Sequence, residues 1–178
     1  MSVVWSLVGT AIVFNIVDLF QSRGLSRDDV PLFFTHFAIA MATVQLVGGV
    51  LADRIRLNLL LCISMIGMTA SVACVSQIET LPAARVFATA LGASQGLFIV
   101  LGQTIWPRFF GRAHLGKIRG TIWTACVAGS ASGPFVLDAC RELTGSFTTV
   151  LGAFAATYGV LAVLAPLVTP PQHAQEAV

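Results

Sequence analysis

The sequence predicts an all-helical fold embedded in a membrane, with six spanning helices and no separate soluble domain. Three observations carry that reading. The 178 residues are 56% hydrophobic and only 10% charged, with a mean hydropathy of +0.87. Soluble domains carry about 25% charged residues, and a water-soluble core of this length cannot hide so much apolar surface. Most of the charge falls in short connections between apolar runs, each run long enough for the roughly 20 residues that cross a bilayer. The stretch Gly48-Gly49-Val50-Leu51-Ala52-Asp53-Arg54-Ile55-Arg56 is a charged hairpin between two such runs.

Taken in order, the expected spans are residues 3–20, 31–52, 57–76, 81–106, 118–137 and 147–168, and 169–178 forms a polar tail that opens with Pro170-Pro171. The first run begins almost at the N-terminus without the basic stretch of a cleavable signal peptide, so it is read as a span. The second enters through Pro31, and the third follows the hairpin directly. The fourth is expected to close at Trp106-Pro107, where proline removes a backbone donor and tryptophan suits the interface. The fifth contains Gly129, Gly133 and Pro134, which together predict a bend. Orientation follows the basic residues. Arg54, Arg56, Arg108, Arg112, Lys117 and Arg119 fall on one side, and Arg23, Arg27, Arg85 and Arg141 on the other. The excess places both termini and the Asp53 hairpin in the cytoplasm.

Several function classes are excluded. A net charge of +2 is too small to recommend nucleic acid as a partner. Cys62, Cys74, Cys126 and Cys140 have no zinc-site spacing, and no cofactor is implied. Gly92-Ala93-Ser94-Gln95-Gly96 matches a serine-nucleophile pattern by letters, but Ser94 lies inside a helical run rather than at a strand-to-helix elbow. The chain does not read as an enzyme.

The polar residues inside the spans are the candidates for a substrate path: Asn15, Asp18, His36, Arg85, Gln95 and Gln103. Arg85, Gly92, Gly96 and Gln103 are spaced so that they fall within about 20° of one line on a helix. Either that line faces a wet path, or the glycines only pack while Arg85 reaches to the headgroups. His36 and Asp18 likewise divide between a role in substrate or proton movement and plain solvation near the outer surface.

The hairpin Gly49-x-x-x-Asp53-Arg54-x-Arg56 resembles the hairpin motif of the major facilitator superfamily, Gly-x-Leu-Ala-Asp-Arg-x-Gly-Arg-Arg, with Arg56 at the second glycine and Leu57 at the next basic position. The resemblance extends along the chain in order. Asn15 to Ser26 is similar to the end of that family's seventh helix, and Gly92-Ala93-Ser94-Gln95-Gly96 to its tenth. Phe109 to Gly120 is similar to the loop that follows the tenth. Gly129-x-x-x-Gly133-Pro134 is similar to the eleventh helix, and Thr144-Gly145-Ser146-Phe147 to the entry of the twelfth. Gly120, Gly129, Gly133 and Pro134 also fit the family's antiporter pattern, although Leu137 and Asp138 replace its closing glycines.

The resemblance implies the C-terminal six-helix half of a secondary transporter, built as two inverted three-helix units and working by alternating access. It implies Asp53 as a latch, the reading the Gly49-x-x-x-Asp53-Arg54 context favours over an ordinary loop carboxylate. It also implies a small solute, of the organic-anion or monocarboxylate kind, as substrate. The other partners are the lipid of a cell membrane (a bacterial inner membrane) and a missing N-terminal half or a second copy of the chain. The rival expectation is a truncated six-helix unit that binds or regulates a partner without transporting.

Overall fold

The computed structural model describes residues 1–110 and 115–168, and the expectations that rest on Arg112, His114 and the polar tail lie outside these residues. The described residues form seven α-helices: α1 Ser2–Phe14, α2 Ile16–Ser22, α3 Val30–Arg54, α4 Leu57–Cys74, α5 Leu81–Phe110, α6 Leu115–Thr144 and α7 Phe147–Leu164. Among the described residues there is no strand.

Four of them, α3, α4, α5 and α7, are long and apolar enough to cross a membrane, and α1 with α2 makes a fifth if the bent pair is one span. The remaining helix, α6, has the length but not the apolarity, with Lys117, Arg119, Asp138, Arg141 and Glu142 in its outer turns and glycine, serine and threonine between them.

The first expected span is broken. α1 and α2 meet at Asn15 with a bend of 59°. Asn15 Nδ2 donates to the Ala11 carbonyl at 3.1 Å, the same oxygen that its backbone N–H reaches at 3.2 Å. A side-chain donor competing for a helix carbonyl is a recognised cause of local bending.

The second span starts cleanly. Ser26 and Asp29 form a capping box around the 3₁₀ turn Arg27–Asp29, and Pro31 sits in the first turn of α3, where its missing N–H costs nothing.

The fourth span runs past its expected end. α5 continues through Pro107 to Phe110. Proline deprives the carbonyl four residues earlier, that of Gln103, of its helical partner. Arg119 Nη2, reaching across from α6, donates to that carbonyl at 3.3 Å. α6 likewise passes through Pro134 as one assigned helix.

α5 is the hub. Of its most apolar window 61% is buried, against 11% for α3. It packs against α3 and α4, α1 packs against α6, and α4 also packs against α7. The α3–α5 approach is a close one: a Cβ on Gly96 would lie 2.6 Å from the Met41 carbonyl oxygen, and one on Gly92 would overlap that of Phe37. The α1–α6 pair is packed the same way, with Gly133 against the Leu7 carbonyl and Gly129 against Val3 and Ser6. Small residues at these positions let the backbones approach, as helices in lipid do. Ser6 Oγ adds an interhelical hydrogen bond to the Cys126 carbonyl at 2.9 Å.

Large apolar side chains point outward elsewhere, such as Leu46 and Phe135, which are 80% and 78% exposed. A patch of that kind is a liability in water and an ordinary lipid-facing or partner-facing surface in a membrane.

Candidate functional site

α1, packed on α6, meets α5, packed on α3, through side chains such as Trp5 and Phe98, and two cavities open along this face. The larger, about 320 Å³, lies at mid-depth and is lined from α1 by Ser6, Gly9 and Thr10, from α3 by Phe37 and Met41, and from α5 by Gln95. The smaller, about 130 Å³, lies toward the hairpin end, between Trp5 on α1, Gln103 and Trp106 on α5, and Arg119 on α6. Trp5, Trp123 and Cys126 belong to both, so the two tryptophans form the wall between them.

Two of the six expected path residues reach these cavities. Gln95 is buried, with 7% of its surface exposed, and a Cβ on Gly9 would stand 3.2 Å from its Nε2, so the Gln95 side chain spans from α5 to the α1 backbone there. Gln103 is exposed to the smaller cavity and accepts a hydrogen bond from Arg119 through its Oε1.

The other four lie elsewhere. Asn15 is buried at the α1–α2 break. Asp18 is exposed on α2, and Arg85 is exposed near the start of α5; neither lines a described cavity. His36 is half-buried, with its Nδ1 2.8 Å from the Leu32 carbonyl one turn back on α3. The aligned stripe on α5 therefore divides: Gly92 and Gly96 face α3 as packing residues, and Gln103 faces α6.

The sequence reading missed Trp5, Trp123 and Arg119. Trp106, expected as an interface anchor, is a cavity wall as well. The usable signal was that Trp5 and Trp123 fall in the first third of α1 and α6 while Trp106 falls in the last third of α5, which puts all three toward one end of the bundle when α5 runs opposite to the other two.

At the hairpin, Arg108 in the last turn of α5 holds Asp53: Nη2 donates to Oδ1 at 2.7 Å, and Nη1 donates to the Ala52 carbonyl at 3.0 Å. One guanidinium thus pairs the carboxylate and caps a free carbonyl at the end of α3. Arg54 and Arg56 are exposed beside it. Of the two hairpin glycines, Gly48 is the one that packs, with Leu97 Cδ1 3.5 Å from a Cβ placed there. Gly49 has open space around it. The same end of the molecule gathers Met1, Ser2 and Val168 around one cavity, and Asn58 at the start of α4 donates to the Val168 carbonyl at 2.7 Å. At the opposite end, Arg23 Nη2 donates to Thr148 Oγ1 at 2.8 Å, and Arg141 lies over the Phe147 ring at 4.3 Å.

Among the described residues no three His, Cys, Asp or Glu side chains gather as a metal site requires. The family model described as Major Facilitator Superfamily matches residues 1–177. No curated protein matches the sequence.

Proposed function

The chain belongs to the major facilitator superfamily, a family of transporters, and from that premise we propose that it performs secondary transport of a small solute by alternating access. It works as a six-helix half, with α1–α2, α3 and α4 as one three-helix unit and α5, α6 and α7 as its inverted repeat. The helix packing supports this division. Exchanging the two units turns the α1–α6 pair into the α5–α3 pair and leaves α4–α7 unchanged, and these are among the most extensive interfaces in the molecule.

The observation that carries the proposal is the pair of cavities on the α1–α5 face, the larger at mid-depth beside buried Gln95. Facilitator substrates bind near the midplane, between repeats. The face is unfinished within this chain: Phe14 and Trp123 at its edge are 73% and 54% exposed. Gly49, a glycine of the hairpin motif, has nothing against it among the described residues. A second six-helix unit covers this face and the open glycine. We assign that unit to an N-terminal half rather than a second copy, because the motifs match the family's C-terminal half in order. An organic anion as solute, and Asp53 as the residue that steadies the hairpin, belong to the same proposal.

Flux is the test. In vesicles of the native membrane, removing the chain is expected to abolish one saturable, gradient-driven uptake. The purified chain alone in liposomes is expected to give no saturable flux of small carboxylates. Saturable flux from the chain alone establishes a second copy as the partner. Unchanged uptake in the vesicles supports the rival, a unit that binds a partner without transporting.

Orientation is tested separately. With both termini and the hairpin in the cytoplasm, as the six-to-four distribution of basic residues favours, a single cysteine at the exposed Ile55 is expected to resist a membrane-impermeant thiol reagent in intact cells and to react once the cells are opened. Full labelling in intact cells reverses the orientation.

A further inference from the structure

We propose that the smaller cavity, between α1, α5 and α6, is a binding site for the carboxylate of a small organic anion with an apolar body, held by Arg119 among the three tryptophans. This rests on the transport reading for its purpose and on the cavity for its chemistry. Of the described residues that line it, Arg119 alone is charged. Arg119 has no carboxylate within ion-pair distance among the described residues. Its hydrogen bonds there leave from Nη2, to the carbonyl and the side-chain oxygen of Gln103.

Those two bonds hold the guanidinium in place without neutralising it. Nε and Nη1 remain as donors in the fork that matches a carboxylate. A half-buried cation in a membrane protein, facing a cavity and lacking a counter-ion, marks a place where an anion is taken up.

The rest of the wall selects the body of the ligand. Trp5, Trp106, Trp123, Phe98, Ile99 and Ile122 surround the cavity with apolar surface, which an inorganic anion does not use. Trp5 is fixed by its ring packing with Phe98, centroids 5.5 Å apart, and its buried Nε1 has no acceptor among the described residues. The cavity adjoins the mid-depth one through the Trp5–Trp123 wall, which places the anion site at the hairpin-end entrance to the path.

The chain's three tryptophans all line this cavity, and Trp106 lines it without reaching the mid-depth one, so tryptophan emission reports on ligand here, with Arg119 variants separating it from the cavity that shares Trp5 and Trp123. Hexanoate is the probe and hexanamide its uncharged counterpart, each titrated into the purified chain in lipid nanodiscs. Hexanoate is expected to change the tryptophan emission saturably, with hexanamide at least tenfold weaker. Arg119→Gln is expected to weaken hexanoate at least tenfold with an unchanged helical circular dichroism signal, and Arg119→Lys, which keeps the charge but not the fork, to recover part of the affinity. An equal response to the amide overturns the site without needing any variant. So does undiminished hexanoate affinity in a folded Arg119→Gln. Hexanoate binding by a protein that supports no flux in native vesicles leaves this site standing and removes the transport reading. Flux of another solute with no hexanoate response does the reverse.

Discussion

Replacing Gly96 by leucine is expected to pull α3 away from α5 and to cost the folded protein about 3 kcal/mol, the upper part of the usual range for overpacking. A Cβ at Gly96 falls 2.6 Å from the Met41 carbonyl oxygen and 3.1 Å from its Cα. These are backbone atoms in mid-helix, so they have no rotamer through which to give way. The two helices must separate, and α5 is the most buried of the four helices long and apolar enough to span. Lipid does not push helices together as water does, so no hydrophobic pressure restores the packing once the helices have moved apart. Gly102→Leu is the control. It makes the same change on the same helix, but nothing lies within 4 Å of a Cβ there. Thermal unfolding in one detergent, followed by circular dichroism, compares the two. Gly96→Leu is expected to melt well below Gly102→Leu, with Gly133→Leu, which strikes the Leu7 carbonyl across the α1–α6 interface, behaving like Gly96→Leu. Equal melting for Gly96→Leu and Gly102→Leu contradicts the close approach of α3 and α5.

The spans were legible because they depend on composition and length. Residues 57–76 correspond to α4 and its following 3₁₀ turn, and 147–168 to α7 and its own turn. What composition does not register is a backbone bond redirected by one side chain. The run 3–20 looks continuous, yet Asn15 competes for the Ala11 carbonyl and the helix turns by 59°. Nor does a local reading register a repair made from far away. Pro107 has the ordinary look of a helix stop, and α5 passes it because Arg119, sixteen residues beyond Gln103, takes up the freed carbonyl.

The site divides along the same line. Gln95 and Gln103 were found because amides in an apolar run stand out. Trp5 and Trp123 were not, because an aromatic in such a run looks like a lipid anchor until α1, α5 and α6 are brought together. The ionisable residues Asp18, His36 and Arg85 drew attention by charge alone, and none lines a described cavity. Arg108, the partner of Asp53, lies 55 residues downstream in sequence and one hydrogen bond away in space.

That pair gives the second large effect. Asp53→Arg is expected to lower transport by the assembled protein at least tenfold while leaving the amount of inserted protein nearly unchanged, and Asp53→Asn to lower it severalfold. The pair is exposed, with 45% of the Arg108 side chain and 74% of that of Asp53 in contact with solvent, so its contribution to folding is small, on the order of 1 kcal/mol or less. Insertion depends on the apolar spans and does not register so small a term. The position of the hairpin does, because Arg108 ties both the Asp53 carboxylate and the Ala52 carbonyl to the end of α5. An equilibrium between two conformations shifts about fivefold for 1 kcal/mol. Two facing guanidinium groups turn that attraction into repulsion, which is why Arg at this position costs more than Asn. The exchange Asp53→Arg with Arg108→Asp restores the ion pair in reverse but not the cap on Ala52, so transport is expected to return in part, to well above the Asp53→Arg level. Uptake in vesicles, normalised to the inserted protein, reads all three variants. Full transport by Asp53→Arg, or no recovery in the exchange, makes Asp53 an ordinary residue of an exposed hairpin.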